Sequence, residues 1–194
     1  MGMMSDTIRR EIDSERMAYV ASVNEDGTPN LSPKATLATV DGDYVAFCDL
    51  ASPRTLANVA ARPAVEVNVV DLIRRKGWRL AGTARVVDGG AEFESLSTLF
   101  RSRGTNLAGA GRQPPVRRFV VIRVSKVLPL LSPAYAMGQS EPQVVDFWSN
   151  FWRGRAHVAQ AQAQPRPLQA PESAIARDFA REATPPGGIT IARE

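Results

Sequence analysis

An arginine in the first turn of a helix is the residue in this chain best placed to do chemistry. Phe47-Cys48-Asp49-Leu50-Ala51-Ser52-Pro53-Arg54-Thr55 reads as a short apolar strand passing into a helix. Ser52 is the expected N-cap, and Pro53 suits the first helical position, where its missing N–H costs nothing. The helix should run from about Arg54 to Arg62 and stop before Pro63. Free amide N–H groups and a partial positive charge at such a start, with Arg54 beside them, make an anion seat suited to a phosphate. The plainer alternative is an ordinary Ser-Pro helix start carrying a solvated arginine.

Conventional catalytic sets are missing. His157 is the one histidine and sits at the edge of an Ala/Gln/Pro-rich stretch, which speaks against a Ser-His-Asp or Cys-His arrangement. Cys48, the one cysteine, lies in an apolar strand and reads as a packed small hydrophobe. One cysteine and one histidine leave neither a disulfide framework nor a zinc-ligand set. Gly109-Ala110-Gly111 fails as a dinucleotide fingerprint because Pro114 stands where the last glycine belongs. Any catalysis therefore falls to a bound cofactor.

The elements that must position these groups follow from turn signals and alternation. Ser5 or Asp6 caps a helix through about Arg16, and Met17 to Asn24 reads as a strand. Asp26-Gly27 closes a hairpin whose returning strand spans Pro29 to Val40, with Pro29 and Pro33 marking an edge or bulge. Asp41-Gly42-Asp43 turns into the strand from Tyr44. Val65, Val67 and Val69 alternate with Glu66 and Asn68 in the next strand, Ala64 to Val70. The basic loop Asp71 to Lys76 leads to a strand from Gly77 to Val87. A helix from about Ala91 to Arg103 presents Phe93, Leu96, Leu99 and Phe100, and a Gly/Pro-rich loop spans Gly104 to Pro115. A long strand follows from Val116 to Leu130, bent near Pro129, and a helix over Pro142 to Trp152 carries Val145, Trp148 and Trp152. Short turns between antiparallel strands, with peripheral helices, indicate a small mainly-β barrel.

Composition sets outer bounds. The 194 residues, 44% of them hydrophobic, suffice for one domain with an appendage. No apolar run approaches the roughly 18 residues of a membrane span, and no signal-peptide pattern opens the chain, so a cytoplasmic protein without membrane partners is expected. Lys and Arg total 24 against 20 Asp and Glu, a net charge of +4 spread without a stripe, which argues against nucleic acid.

The order of Met17-Ala18-Tyr19-Val20-Ala21-Ser22-Val23, Asp26-Gly27-Thr28-Pro29-Asn30-Leu31-Ser32-Pro33-Lys34, Phe47-Cys48-Asp49, Ser52-Pro53-Arg54-Thr55 and Gly77-Trp78-Arg79-Leu80-Ala81-Gly82-Thr83-Ala84 resembles the pyridoxamine 5'-phosphate oxidase-like FMN-binding split barrels. It is most similar to their bacterial branch of flavin-nucleotide-binding proteins, over about residues 8 to 135, with Ser132-Pro133-Ala134-Tyr135 included. The resemblance implies a six-stranded antiparallel split barrel that forms a homodimer with FMN at the subunit interface. Pro33, Lys34, Ala35 and Thr36 then lie along the isoalloxazine ring. Cys48 and Asp49 lie beside the ribityl chain, with Ser52, Arg54 and Thr55 at the phosphate. Thr55 replaces a second basic residue of the oxidases, and Lys34 is the candidate to supply that charge. Lys76, Trp78 and Arg79 match the strand approaching from the other subunit, although Trp78 also reads as simple core.

The implied domain plan is a barrel over 1–140, a C-terminal helix over 141–152 and a low-complexity tail over 153–194. The resemblance implies an FMN-dependent oxidoreductase on a small substrate, with a donor such as NAD(P)H. Alternatives are a non-catalytic flavin-nucleotide carrier or sensor, or binding of the deazaflavin F420 in the same groove. Vitamin B6 oxidation is not expected: Arg155-Ala156-His157 imitates the oxidases' terminal Arg-x-His, but Val158-Ala159-Gln160 does not continue their motif.

Overall fold

The computed structural model describes residues 2–15, 17–109 and 115–162, with side chains through residue 156. The chain divides into two units, Met1–Asn150 and Phe151–Glu194. The first opens with α1 (Asp6–Ser14), whose N-cap Ser5 accepts a hydrogen bond from the Ile8 amide, and Ile12 is its buried anchor. Seven strands follow among the described residues: β1 (Ala18–Val23), β2 (Pro29–Lys34), β3 (Ala38–Thr39), β4 (Tyr44–Cys48), β5 (Ala64–Asp71), β6 (Lys76–Val87) and β7 (Phe119–Leu131). The helices among them are α2 (Pro53–Ala61), α3 (Gly90–Ser102), α4 (Pro133–Ala136) and α5 (Glu141–Gln162).

The strands form one antiparallel sheet in the order β2-β1-β5-β6-β7-β4-β3, curled as the mainly-β split barrel expected. The β1–β2 hairpin closes where Gly27 takes φ 84°, a conformation that suits glycine. Seven strands rather than six result because the stretch from Pro29 to Val40 is not continuous. It turns at Ala35–Thr36, and β3 leaves β1 to pair with β4, Ala38 facing Ala46. The Thr36 hydroxyl fixes that turn by accepting a hydrogen bond from the Cys48 amide at 3.0 Å. The irregularity expected near Pro129 falls elsewhere. Pro129 pairs in register with Trp78, while the register shifts between Ala81 and Gly82. A side chain at Gly82 would stand 2.3 Å from the Arg123 carbonyl oxygen, so the close approach of β7 requires glycine there.

Two apolar clusters account for the burial of β4 on both faces. Val45 and Phe47 join Ile12, Val20, Val67, Leu80 and Ile122 inside the barrel. Ala46 and Cys48 face the other way, against Leu96 and Phe100 of α3 and Phe119 of β7. The Phe100 and Phe119 rings stack with centroids 5.2 Å apart. A strand buried on both sides reads as a continuous apolar run, as Tyr44 to Cys48 does.

α5 extends past Trp152 to Gln162, because Ala and Gln favour helix after the aromatic segment ends. In the second unit the Phe151 and Trp152 rings meet edge to face, centroids 5.3 Å apart. The side chain of His157 and residues 163–194 of the low-complexity tail lie outside the described residues, as do residues 110–114 of the Gly/Pro-rich loop. No described helix is long and apolar enough to cross a membrane.

Candidate functional site

β2 and β4 end side by side next to the start of α2, and this junction gathers the sequence-predicted polar groups. Ser32 and Lys34 alternate with Leu31 and Pro33 along β2, so both turn inward while Leu31 and Pro33 are exposed. Lys34 is only 6% exposed. Its Nζ donates to Ser32 Oγ at 2.6 Å and Ser52 Oγ at 2.8 Å, and lies 5.3 Å from the centre of the Phe47 ring. Burial lowers the Lys34 ammonium below its ordinary value, with Asp49 acting in the opposite sense. Asp49 meanwhile accepts from the Ser52 amide at 3.0 Å and pairs with Arg118 Nε at 3.2 Å.

This arrangement corrects the reading of Ser52. It occupies the N-cap position of α2, yet its side chain makes no capping hydrogen bond, and its hydroxyl serves Lys34 instead. The first turn of α2 is therefore left without a side-chain cap, and its orphan N–H groups stay available. Arg54 is exposed, and its side chain has neither ion pair nor hydrogen bond among the described residues. Thr55 is 2% exposed on the next position. An uncapped helix start, a buried lysine and an unpaired arginine together suit a phosphate dianion, so these residues fit the terminal group of a flavin nucleotide.

Cys48 is sealed beneath α3, and burial pushes its thiol up to about 12, with the Thr36 hydroxyl acting in the opposite sense. It is a packing residue here. Pro33 and Ala35 are exposed beside Lys34 and Thr36 at the same strand end.

Lys76, Trp78 and Arg79 are not brought to this junction. Trp78 pairs with Val69, Val69 with Ala18, and Ala18 with Lys34, which sets Trp78 three strands from Lys34, a span of about 14 Å at ordinary strand spacing. Trp78 packs against the barrel core and also donates its indole N–H to Glu11 Oε2 at 2.7 Å, so it is neither simple core nor free surface. Lys76 pairs with Glu141 and lies 4.7 Å from the Tyr135 ring centre, and Arg79 pairs with Glu66 at 3.3 Å. Tyr135 also donates its hydroxyl to the Arg74 carbonyl at 2.6 Å, tying α4 to the basic turn.

Sequence reasoning missed Ser32, Phe47, Arg118 and Glu141 as partners of the site residues. Ser32 had a signal, its spacing of two from Lys34 on one strand. The others meet their partners only through long-range pairing, which no local pattern encodes.

The family model for pyridoxamine 5'-phosphate oxidase matches residues 4–130, the barrel and its phosphate-suited junction together. The chain belongs to the pyridoxamine 5'-phosphate oxidase family. Solved structures carry the same barrel. Among them is HupZ of Group A Streptococcus, at 24% identity and TM-score 0.57, matched over 67% of this chain and 96% of that one. An FMN-binding protein from Syntrophomonas wolfei has 16% identity and TM-score 0.52, covering 63% and 82%. A pyridoxamine 5'-phosphate oxidase homologue from Lactobacillus delbrueckii has 15% identity and TM-score 0.52, covering 66% and 95%. At these identities the likeness is one of fold. A comparison with curated proteins finds no match. Among the described residues of this family member, no cluster of His, Cys, Asp or Glu could hold a metal ion.

Proposed function

We propose that the protein is an FMN-binding flavoprotein that carries out an oxidation–reduction reaction on a small substrate. The observation that carries this reading is the junction of β2, β4 and α2, where Lys34 donates to Ser52 beside an uncapped helix start whose first turn carries Arg54, in a chain of this family. Arg54 and Lys34 neutralise the phosphate, and the Arg54 and Thr55 amides add oriented donors at the positive end of the helix. The turn from Pro33 to Thr36 offers backbone to the ring, and Asp49, at the end of β4, stands nearest the middle of the groove, while Cys48 serves as packing beneath it. Bound FMN supplies the electron-transfer chemistry, and the protein's part is to bind, orient and exclude water.

Lys76, Trp78 and Arg79 complete the site from a second copy of the chain. Their separation from Lys34 within one protomer supports that assignment. So does the apolar outer sheet face, where Tyr19 is 45% and Leu31 65% exposed, as a homodimer interface would supply.

Purification followed by absorbance spectroscopy and extraction of the bound ligand tests the reading. A yellow protein releasing FMN supports it, an F420 spectrum replaces the cofactor, and a colourless protein that ignores both contradicts it. Anaerobic mixing with NADH or NADPH then separates an enzyme, which is reduced with saturation, from a carrier, which is reduced slowly and without saturation.

A further inference from the structure

Lys34 and Asp49 are the only charged residues buried among the described ones, at 6% and 9% exposure, and both stand at the junction of β2, β4 and α2. A buried carboxylate beside an anion seat is a conflict. Like charges repel most strongly where water is excluded, and Asp49 alone would cancel one of the two cations, Lys34 and Arg54, that serve the seat. Burial disfavours the Lys34 ammonium and the Asp49 charge acts against that, so the two groups feel one another.

The Asp49 carboxylate is divided between two partners. Its Oδ1 accepts from the Ser52 amide at 3.0 Å, and its Oδ2 lies 3.2 Å from Arg118 Nε. The Asp49 amide also donates to the Arg118 carbonyl at 2.9 Å, so backbone and side chain hold the same residue. Arg118 stands one residue before β7, beside the pairing of Cys48 with Phe119. From it a chain of contacts runs through Asp49 to Ser52, whose hydroxyl accepts from Lys34. Asp26 also feels the Arg54 charge, but it is held by Thr28 in the exposed β1–β2 turn, where water and salt screen it.

Stability does not account for the Arg118 pair. The Arg118 side chain is 47% exposed, and an ion pair of that kind contributes little to folding. Its effect on charge is larger. With Arg118 in place, Asp49 is cancelled, and Lys34 and Arg54 are left as two positive charges for a phosphate dianion. We propose that Arg118 is a positioning residue for the phosphate seat: it cancels and orients Asp49, so that Lys34 and Arg54 keep their charge for the ligand. The identity of that ligand rests on the flavin reading; the coupling of Arg118 to Asp49 at the seat does not.

The test titrates the full chain, stripped of any bound flavin, with FMN and with riboflavin, and takes the ratio of the two affinities as the readout of the phosphate. Arg118→Gln should lower that ratio about tenfold, because Asp49 is left uncompensated. Arg118→Lys should hold it within about threefold of wild type. Asp49→Asn, which retains an acceptor for the Ser52 amide, should not lower it. Combining Asp49→Asn with Arg118→Gln should bring the ratio back to within about threefold of wild type. A merely structural pair predicts otherwise: each single variant loses both ligands alike, and the double variant recovers nothing. An unchanged ratio in Arg118→Gln, a fall in Asp49→Asn, or a double variant as weak as Arg118→Gln overturns the inference. If Arg118→Gln does not fold, the Asp49→Asn ratio decides. The same variants are titrated with inorganic phosphate, followed by the Arg54 and Thr55 amide resonances. If their order holds for phosphate in a chain that binds no flavin, only the flavin reading fails. If flavin binds and the ratio ignores the variants, only the role of Arg118 fails. A chain that binds neither probe sinks both.

Discussion

Lys34 Nζ lies 2.8 Å from Ser52 Oγ, a contact joining a strand end to a helix start 18 residues further along the chain. It turns an ordinary N-cap serine into a support for a buried cation, and it places that cation beside the first turn of α2. In folding terms the charge is a burden, since burial disfavours the ammonium form.

Replacing Lys34 by Met therefore separates binding from stability. Because the lysine value is lowered on folding, the unfolded chain holds more protons at this site between the lowered folded value and 10.5. Stability consequently rises as pH increases from the lowered folded value toward 10.5. Urea unfolding across that window should show wild-type stability gaining on that of Lys34→Met as pH rises, a difference in which the Cys48 titration cancels. The same variant should bind FMN more weakly. A variant with the wild-type slope and wild-type affinity would remove Lys34 from both roles.

Cys48 gives the opposite slope. Its thiol is raised from 9.0 to about 12 in the fold, so stability is fully present below pH 9 and is lost as pH climbs through that window. Cys48→Ala should abolish this alkaline loss. In the native wild type, iodoacetamide should fail to label Cys48 at neutral pH and should label it on unfolding. Prompt native labelling would show that the α3 side of the barrel opens.

Gly77 tests the β5–β6 pairing beside Trp78. A Cβ there would stand 2.0 Å from the Val69 carbonyl oxygen, whereas one on Gly89 would meet nothing within 4 Å. Gly77→Ala should lower unfolding free energy by about 2–3 kcal/mol, while Gly89→Ala should change it by about 1 kcal/mol or less. Chemical denaturation of the two variants side by side checks this, and equal effects would contradict the β5–β6 pairing described.

Much of the barrel was legible because its signals are local. Asp26-Gly27 announces a hairpin, Val65, Val67 and Val69 announce a half-buried strand, and Ser5 caps α1 as its residue type indicates. The break at Ala35–Thr36 was not legible. It depends on the Thr36 hydroxyl meeting the Cys48 amide 12 residues away, a tertiary contact that overrides the extended preference of the stretch. At the site, Lys34 and Arg54 were singled out by type and family resemblance. The diversion of Ser52 from capping to Lys34 was hidden, because a serine before Pro-Arg-Thr reads the same in either role. Glu11 was likewise invisible as the partner of Trp78, since α1 meets Trp78 only after the sheet has curled.

Recognition of a phosphate by the start of α2 is most directly tested by titrating wild type and Arg54→Ala with FMN and with riboflavin, which lacks that phosphate. The account predicts that Arg54→Ala weakens FMN binding by about 1.5–3 kcal/mol and leaves riboflavin binding unchanged. Equal losses for both ligands, or none for either, would contradict it.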